Sequence, residues 1–174
     1  NIIHFSHDGT VLWQTSGINY AQSVSVNPAD GSVWVATTAY VGEVVHLAAD
    51  GAQLFRQSGY STPNGISVNP NDGSVWVSNT YANEIVHLAA NGSELCRVSG
   101  FNRPWGISVD PTDNGCWIAD RYYDQVVKLA ADGTVSYRGG SFDEPMSVSV
   151  DPADGTVWAA DRRNHRAVHL AADG

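Results

Sequence analysis

Hydrophobic and polar positions alternate along this chain in short runs, and the three-to-four spacing of an amphipathic helix is absent. Ser23–Asn27 (SVSVN), Ser32–Ala36 (SVWVA), Glu43–Ala48 (EVVHLA) and Gln53–Gln57 (QLFRQ) are such runs. They are rich in β-branched and aromatic residues and bounded by Gly, Pro, Asn or Asp, so they predict four short strands. The second run is apolar on both sides, with Val33 and Val35 pointing one way and Trp34 the other. A half-exposed sheet alternates; a sheet covered on both faces need not. The Leu-Ala-Ala stretches are too short to carry a helix. The connections are equally explicit. In Asn27-Pro28-Ala29-Asp30-Gly31 the proline presets φ, the aspartate caps the turn and the glycine supplies positive φ. Ala49-Asp50-Gly51 is a tight hairpin signal.

The same phrases recur down the chain. Trp34, Trp76, Trp117 and Trp158 are spaced 42, 41 and 41 residues apart, as are Pro28, Pro70, Pro111 and Pro152. Gly9, Gly51, Gly92, Gly133 and Gly174 follow at 42, 41, 41 and 41. The repeats run approximately over residues 23–64, 65–105, 106–146 and 147–174, and residues 1–22 supply the last two strands of a preceding unit. Four antiparallel strands per repeat of roughly 40 residues make the blade of a β-propeller. The expected fold is therefore all-β, a propeller of four-stranded antiparallel blades. The third strand is present five times and the others four times each, seventeen in all, one more than a closed four-bladed ring uses. A segment of a larger ring, or a part-ring closed by another chain, is favoured over a self-closed ring of four blades. Bare blade edges would invite self-association or a protein partner.

Composition narrows the function classes. The chain has 174 residues, enough for one domain, and 43% are hydrophobic, enough for a core. Eighteen acidic against nine basic side chains give a net charge of -9, which argues against nucleic acid or an anionic membrane as partner. No apolar run approaches the roughly 18 residues of a membrane span. Cys96 and Cys116 cannot form a disulfide-rich scaffold, and two unpaired thiols are expected rather than a bridge between adjacent blades.

The repeated phrases resemble the NHL-repeat family of β-propellers. The resemblance is carried by Pro-Trp-Gly-Ile-Ser-Val-Asp at Pro104–Asp110, by the Asp-Gly turn and Val-Trp of Asp154–Trp158, by the Ala-Asp pairs ending at Asp120 and Asp161, and by the VVHLAADG of Val44–Gly51. It covers essentially the whole chain. The family's Ala-Asp-x-x-Asn-x-Arg segment is imperfect here: Asp161–Arg166 is the nearest copy, and Thr37 replaces the aspartate in the first repeat. The resemblance implies about six blades in a complete ring and favours an extracellular or periplasmic location. Its distant cousins include lyase, lactonase and amidating-lyase propellers that use metal ions in the central channel. Asp120 and Asp161 are the positions here where a divalent ion, Ca or Zn, would then sit, with His165 beside them.

Candidate chemistry is sparse. The loops at one end of the blades, the bottom, repeat almost verbatim, as in NPADG, NPNDG, DPTDNG and DPADG. Those at the other end, the top, differ in every unit, and difference among repeats marks specialisation. The third and fourth units load that end with Arg103, Trp105, Arg121, Tyr122 and Tyr123, then Arg162, Arg163 and His165. Guanidinium groups interleaved with aromatic rings suit carboxylates, sugars or an acidic protein segment. The plainer reading is packing aromatics, with arginines paired to Asp120, Asp124, Asp143, Glu144 and Asp161. His4, His46, His87 and His169 share one repeat position that Lys128 occupies in the third unit, so a structural or solvent-facing role is expected for them. Asp30, Asp72, Asp113 and Asp154 fit turn caps better than calcium ligands. No Ser elbow, phosphate-binding loop or dinucleotide fingerprint occurs. The expected function is a non-catalytic scaffold or binding module presenting its top face. The alternative is part of a metal-dependent enzyme of the lyase or lactonase type.

Overall fold

The computed structural model describes residues 1–174. Seventeen strands form five antiparallel sheets, and the helical content is one short 3-10 turn, Thr80–Ala82. A hairpin of β1 (Ile2–Phe5) and β2 (Val11–Thr15) comes first. Three four-stranded sheets follow, each in simple up-and-down order. They are β3 (Ala21–Val26), β4 (Val33–Thr37), β5 (Gly42–Leu47) and β6 (Gln53–Tyr60); β7 (Pro63–Val68), β8 (Val75–Asn79), β9 (Glu84–Leu88) and β10 (Glu94–Ser99); and β11 (Pro104–Asp110), β12 (Gly115–Asp120), β13 (Gln125–Leu129) and β14 (Val135–Gly139). The last sheet has three strands, β15 (Pro145–Val150), β16 (Val157–Asp161) and β17 (Arg166–Leu170).

The turns form for the reasons their residues suggest. Between β3 and β4, Asn27 Oδ1 accepts from Ala29 N at 3.0 Å and Asp30 Oδ1 from Ser32 N at 2.9 Å. Gly31 closes that turn at φ 73°, in the region that favours glycine. Asn69 with Asp72, Asp110 with Asp113 and Asp151 with Asp154 repeat the arrangement. The Asp-rich bottom turns are thus Asx caps in which one oxygen of each side chain accepts from a backbone N–H group.

One packing rule joins sheet to sheet. Trp34 on β4 is fully buried in a cluster with Ile66 and Val68 of β7 and Val75 and Val77 of β8. Trp76 meets Ile107, Val109 and Ile118 of the third sheet in the same way, and Trp117 meets Val148 and Val157 of the last. The innermost strands add a hydrogen bond at each step. Val68 N donates to Ser25 Oγ at 3.0 Å, Val109 N to Ser67 Oγ at 3.0 Å, and Val150 N to Ser108 Oγ at 3.1 Å. The outermost strands add a third contact, each tucking a side chain under a glycine of the next sheet's turn: Trp13 under Gly51, Phe55 under Gly92, Cys96 under Gly133 and Tyr137 under Gly174. A side chain at Gly92 would collide with the Phe55 ring, and the residue sits at φ 86°, which is why the repeat keeps glycine there. Behind each buried indole lies a third-strand side chain. His46 stacks on Trp34 with ring centroids 4.1 Å apart, His87 stacks on Trp76 at 3.9 Å, and Lys128 lies over Trp117 at 5.5 Å.

The stack does not close on itself. Trp158, the equivalent tryptophan of the last sheet, is 52% exposed, whereas its three counterparts are wholly buried. At the other end Val24 and Val26 of β3 are 54% and 58% exposed, whereas Ile66 and Val68 are buried. The β1–β2 hairpin covers Val33 and Val35 of β4 and Val45 and Leu47 of β5 through Ile2 and Trp13, and leaves the innermost strand, β3, bare.

Candidate functional site

The top loops are built by two clamps that recur from sheet to sheet. The residue ending each second strand points its oxygen at the incoming loop. Asn79 Oδ1 accepts from Ser61 N, Asp120 Oδ1 from Asn102 N and Asp161 Oδ1 from Asp143 N, each at 2.7 Å. The second clamp crosses between sheets. Asn83 and Asp124, both at positive φ, accept from Arg103 N at 2.8 Å and Glu144 N at 2.9 Å. His165 occupies the same position in the last sheet at φ 53° and is exposed, with no following sheet to hold. Asn, Asp and His are the non-glycine residues most often found in this backbone region.

These clamps decide what Asp120 and Asp161 can do. The second oxygen of Asp120 accepts from Gln125 Nε2 at 2.7 Å, and that of Asp161 from Asn164 Nδ2 at 2.9 Å and Arg166 Nε at 2.7 Å. Burial pushes the Asp120 carboxyl above its ordinary range, outweighing its bonds to Gln125 and the Asn102 amide. Burial acts on Asp161 in the same sense, but the Asp143 amide, Asn164 and Arg166 together hold its carboxyl down. Both carboxylates are committed to the loops, they belong to successive sheets, and no group of three or more His, Cys, Asp or Glu side chains is placed to hold an ion. These residues do not fit a divalent metal.

The arginines and aromatic rings of the third and fourth units do meet, and they form a ladder across the top. Arg103 lies over the Tyr81 ring at 4.2 Å and the Tyr122 ring at 5.5 Å. Arg121 lies over Tyr122 at 4.8 Å and Trp105 at 5.2 Å. Arg121 then meets Glu144 at 2.7 Å, and Arg162 and Arg163 reach the same carboxylate at 2.8 Å each. Glu144 is buried, and its hydrogen bond from Arg121, reinforced by the other two guanidinium groups, keeps its carboxyl below the usual range against the pull of burial. Three cations thus share one anion. Arg103 has no carboxylate partner; it is half-buried beside two tyrosine rings, and its guanidinium donates no hydrogen bond within the chain. Tyr123 is exposed and stands apart from the ladder.

The sequence pattern picked out the rungs Arg103, Trp105, Arg121, Tyr122, Arg162 and Arg163 and named Glu144 among the carboxylates that pair with arginines, as it does here, but it did not pick out Tyr81, the first ring. Tyr81 stands one repeat before Tyr122, and that spacing was the available signal. The wedge residues Tyr60, Phe101 and Phe142 open the variable loops yet are buried between sheets, so they belong to the core.

No family model matches this chain, and no curated protein does. Solved structures do. Over 98% of its length the chain is similar to a protein of unknown function from Bacteroides caccae, at 17% identity and a TM-score of 0.72, and covers 70% of that chain. Over 98% it is similar to a chain of a nidogen–laminin complex, at 15% identity and a TM-score of 0.76, covering 69% of it. Over 94% it is similar to streptogramin B lyase, at 16% identity and a TM-score of 0.73, and spans only 55% of that enzyme. At these identities the likeness is one of fold, and the fold is a β-propeller. One of these neighbours binds a protein and another is an enzyme, so the fold alone assigns no activity.

Proposed function

We propose that this chain is a non-catalytic β-propeller module of the NHL type whose top face binds an acidic segment of a protein. The single observation that carries this reading is Arg103. Its guanidinium lies over the Tyr81 ring and within reach of the Tyr122 ring, its donors are unspent within the chain, and it borders a cluster in which three guanidinium groups share Glu144. A planar donor fork fixed on aromatic rings loses little freedom on meeting a carboxylate, which is the geometry arginine is suited to. Each ring contact adds roughly 0.5–1 kcal/mol to the positioning of the fork. Arg162 and Arg163 are more than half exposed and free to turn from Glu144 to an incoming anion. The NHL assignment rests on the phrases at Pro104–Asp110, Asp154–Trp158 and Val44–Gly51.

A metal-dependent enzyme of the lyase or lactonase type would need ligands that Asp120, Asp161 and His165 do not supply together, and nothing in the site favours it. Calorimetric titration with a hexaglutamate peptide tests the binding reading. Binding that weakens at least tenfold in Arg103→Ala, and that hexalysine does not reproduce, is the expected result. Equal binding by the wild type and by an Arg103→Ala, Arg162→Ala, Arg163→Ala variant would overturn it.

A further inference from the structure

Nine Lys and Arg side chains stand against eighteen Asp and Glu, so carboxylates are abundant for every cation of this chain. Arg56 pairs with Glu43, Arg97 with Glu84 and Glu94, Lys128 with Asp110 and Asp113, and Arg166 with Asp161. Arg121, Arg162 and Arg163 share Glu144. That leaves Arg103 and Arg138, each lying over an aromatic ring with no carboxylate in reach and no hydrogen bond donated within the chain. Both flank one short loop, Gly100–Arg103, which leads into the third sheet. That sheet has a neighbour packed on each of its faces. The two arginines therefore lack acceptors, not neighbours.

The repeat shows what Arg138 is missing. It stands opposite Val127 on β14 as Arg56 stands opposite Val45 on β6 and Arg97 opposite Val86 on β10. Those two counterparts are tied down from two positions. Arg56 donates to Glu43 Oε2 at 2.8 Å and to Gln53 Oε1 at 2.9 Å. Arg97 donates to Glu84 Oε2 and Glu94 Oε2, both at 2.7 Å. In the third sheet both positions change together: Gln125 replaces the first acceptor and Val135 the second. Gln125 turns its amide to Asp120 Oδ2 at 2.7 Å. The buried Asp120 carboxyl feels the Arg138 charge but makes no ion pair with it, its oxygens being turned to the Asn102 N–H and to Gln125. The Arg138 guanidinium instead lies over the buried Phe101 ring at 5.4 Å, beside Gly100, on an exposed side chain.

We infer that Arg138 is a second carboxylate contact for the acidic protein segment, which runs from Arg103 across the Gly100–Arg103 loop onto the outer wall of the third sheet. This deepens the top-face reading and rests on it. One acidic side chain of the segment meets each guanidinium. A guanidinium resting on a ring keeps its N–H edge for a carboxylate, which it can take in bidentate fashion. The four-residue loop between the two arginines covers at most about 14 Å of chain, and an extended hexapeptide, about 20 Å long, spans it. The remaining carboxylates of such a segment fall toward Arg162 and Arg163, which are more than half exposed.

Calorimetric titration of four chains with hexaglutamate tests this, each chain first shown to keep its far-ultraviolet circular dichroism. Arg138→Ala is expected to weaken binding at least fivefold. Arg56→Ala removes the same charge from the same repeat position of the first sheet, where Glu43 already holds the guanidinium, and is expected to stay within twofold of the wild type. Val135→Glu restores the acceptor that Glu94 provides to Arg97. It is expected to weaken binding about as much as Arg138→Ala, and to add little to the loss in an Arg138→Ala background. Wild-type binding that weakens in Arg103→Ala but not in Arg138→Ala overturns this inference and leaves the top-face reading standing. Equal losses in Arg138→Ala and Arg56→Ala also overturn it, because total charge then governs affinity. A wild type that does not bind hexaglutamate overturns both.

Discussion

At the residue scale the buried histidines make the fold sensitive to pH. Burial lowers the His46 and His87 pKa values beneath the ordinary 6.5, and the nearby Asp30 and Asp72 only partly offset it. Above pH 6.5 both the folded and unfolded chains hold these rings neutral, and the full stability is present. As pH falls through 6.5 the unfolded chain binds protons first, so stability declines until the lowered folded values are reached. The urea midpoint is expected to fall between pH 7.5 and pH 5.5, and a His46→Gln, His87→Gln variant to lose most of that fall. A variant that keeps the whole decline would place its source elsewhere. The top clamps give a second residue-scale expectation. Asp120→Ala leaves the Asn102 N–H without its acceptor and is expected to cost about 1–3 kcal/mol in urea unfolding. Asp120→Asn is expected to be nearly neutral, because Asn79 does the same work one sheet earlier at the same 2.7 Å.

At the element scale the period-two runs and Asx-Gly turns specified the strands almost to the residue. Ser32–Ala36 became Val33–Thr37, and Glu43–Ala48 became Gly42–Leu47. The reason is that every strand is bounded by a turn whose chemistry stands in the sequence. The first strands start two residues earlier than their hydrophobic runs, at Ala21, Pro63, Pro104 and Pro145. Pairing there passes through an irregularity in register before the run begins, and no hydrophobic period reports a bulge. The burial pattern makes equivalent tryptophans energetically unequal. Trp76→Ala is expected to destabilise by about 3–5 kcal/mol, as for a large buried side chain. Trp158→Ala, at a site 52% exposed, is expected to cost about 1 kcal/mol or less. Equal losses in the two would mean that Trp158 is buried after all.

At the scale of the whole molecule, the count of seventeen strands was legible in the repeats, and so was the surplus third strand. The ladder on top was legible only as a set of residue types. Its order, Tyr81, Arg103, Tyr122, Arg121, Trp105 and Glu144, depends on loops from three sheets meeting, and spacing within one repeat does not encode that meeting. The openness of the stack is likewise a property of the ends and not of any repeat, since Trp158 and Trp117 sit in nearly the same local sequence.

Tryptophans shared between neighbouring sheets hold the stack together, and only that of the last sheet is left uncovered. The most direct test is exchange of the indole N–H signals by nuclear magnetic resonance in a dilute solution of the chain. Slow exchange is expected at Trp34, Trp76 and Trp117, whose indole nitrogens are buried, and fast exchange at Trp158. Slow exchange at Trp158, equal to that of the other three, would contradict it.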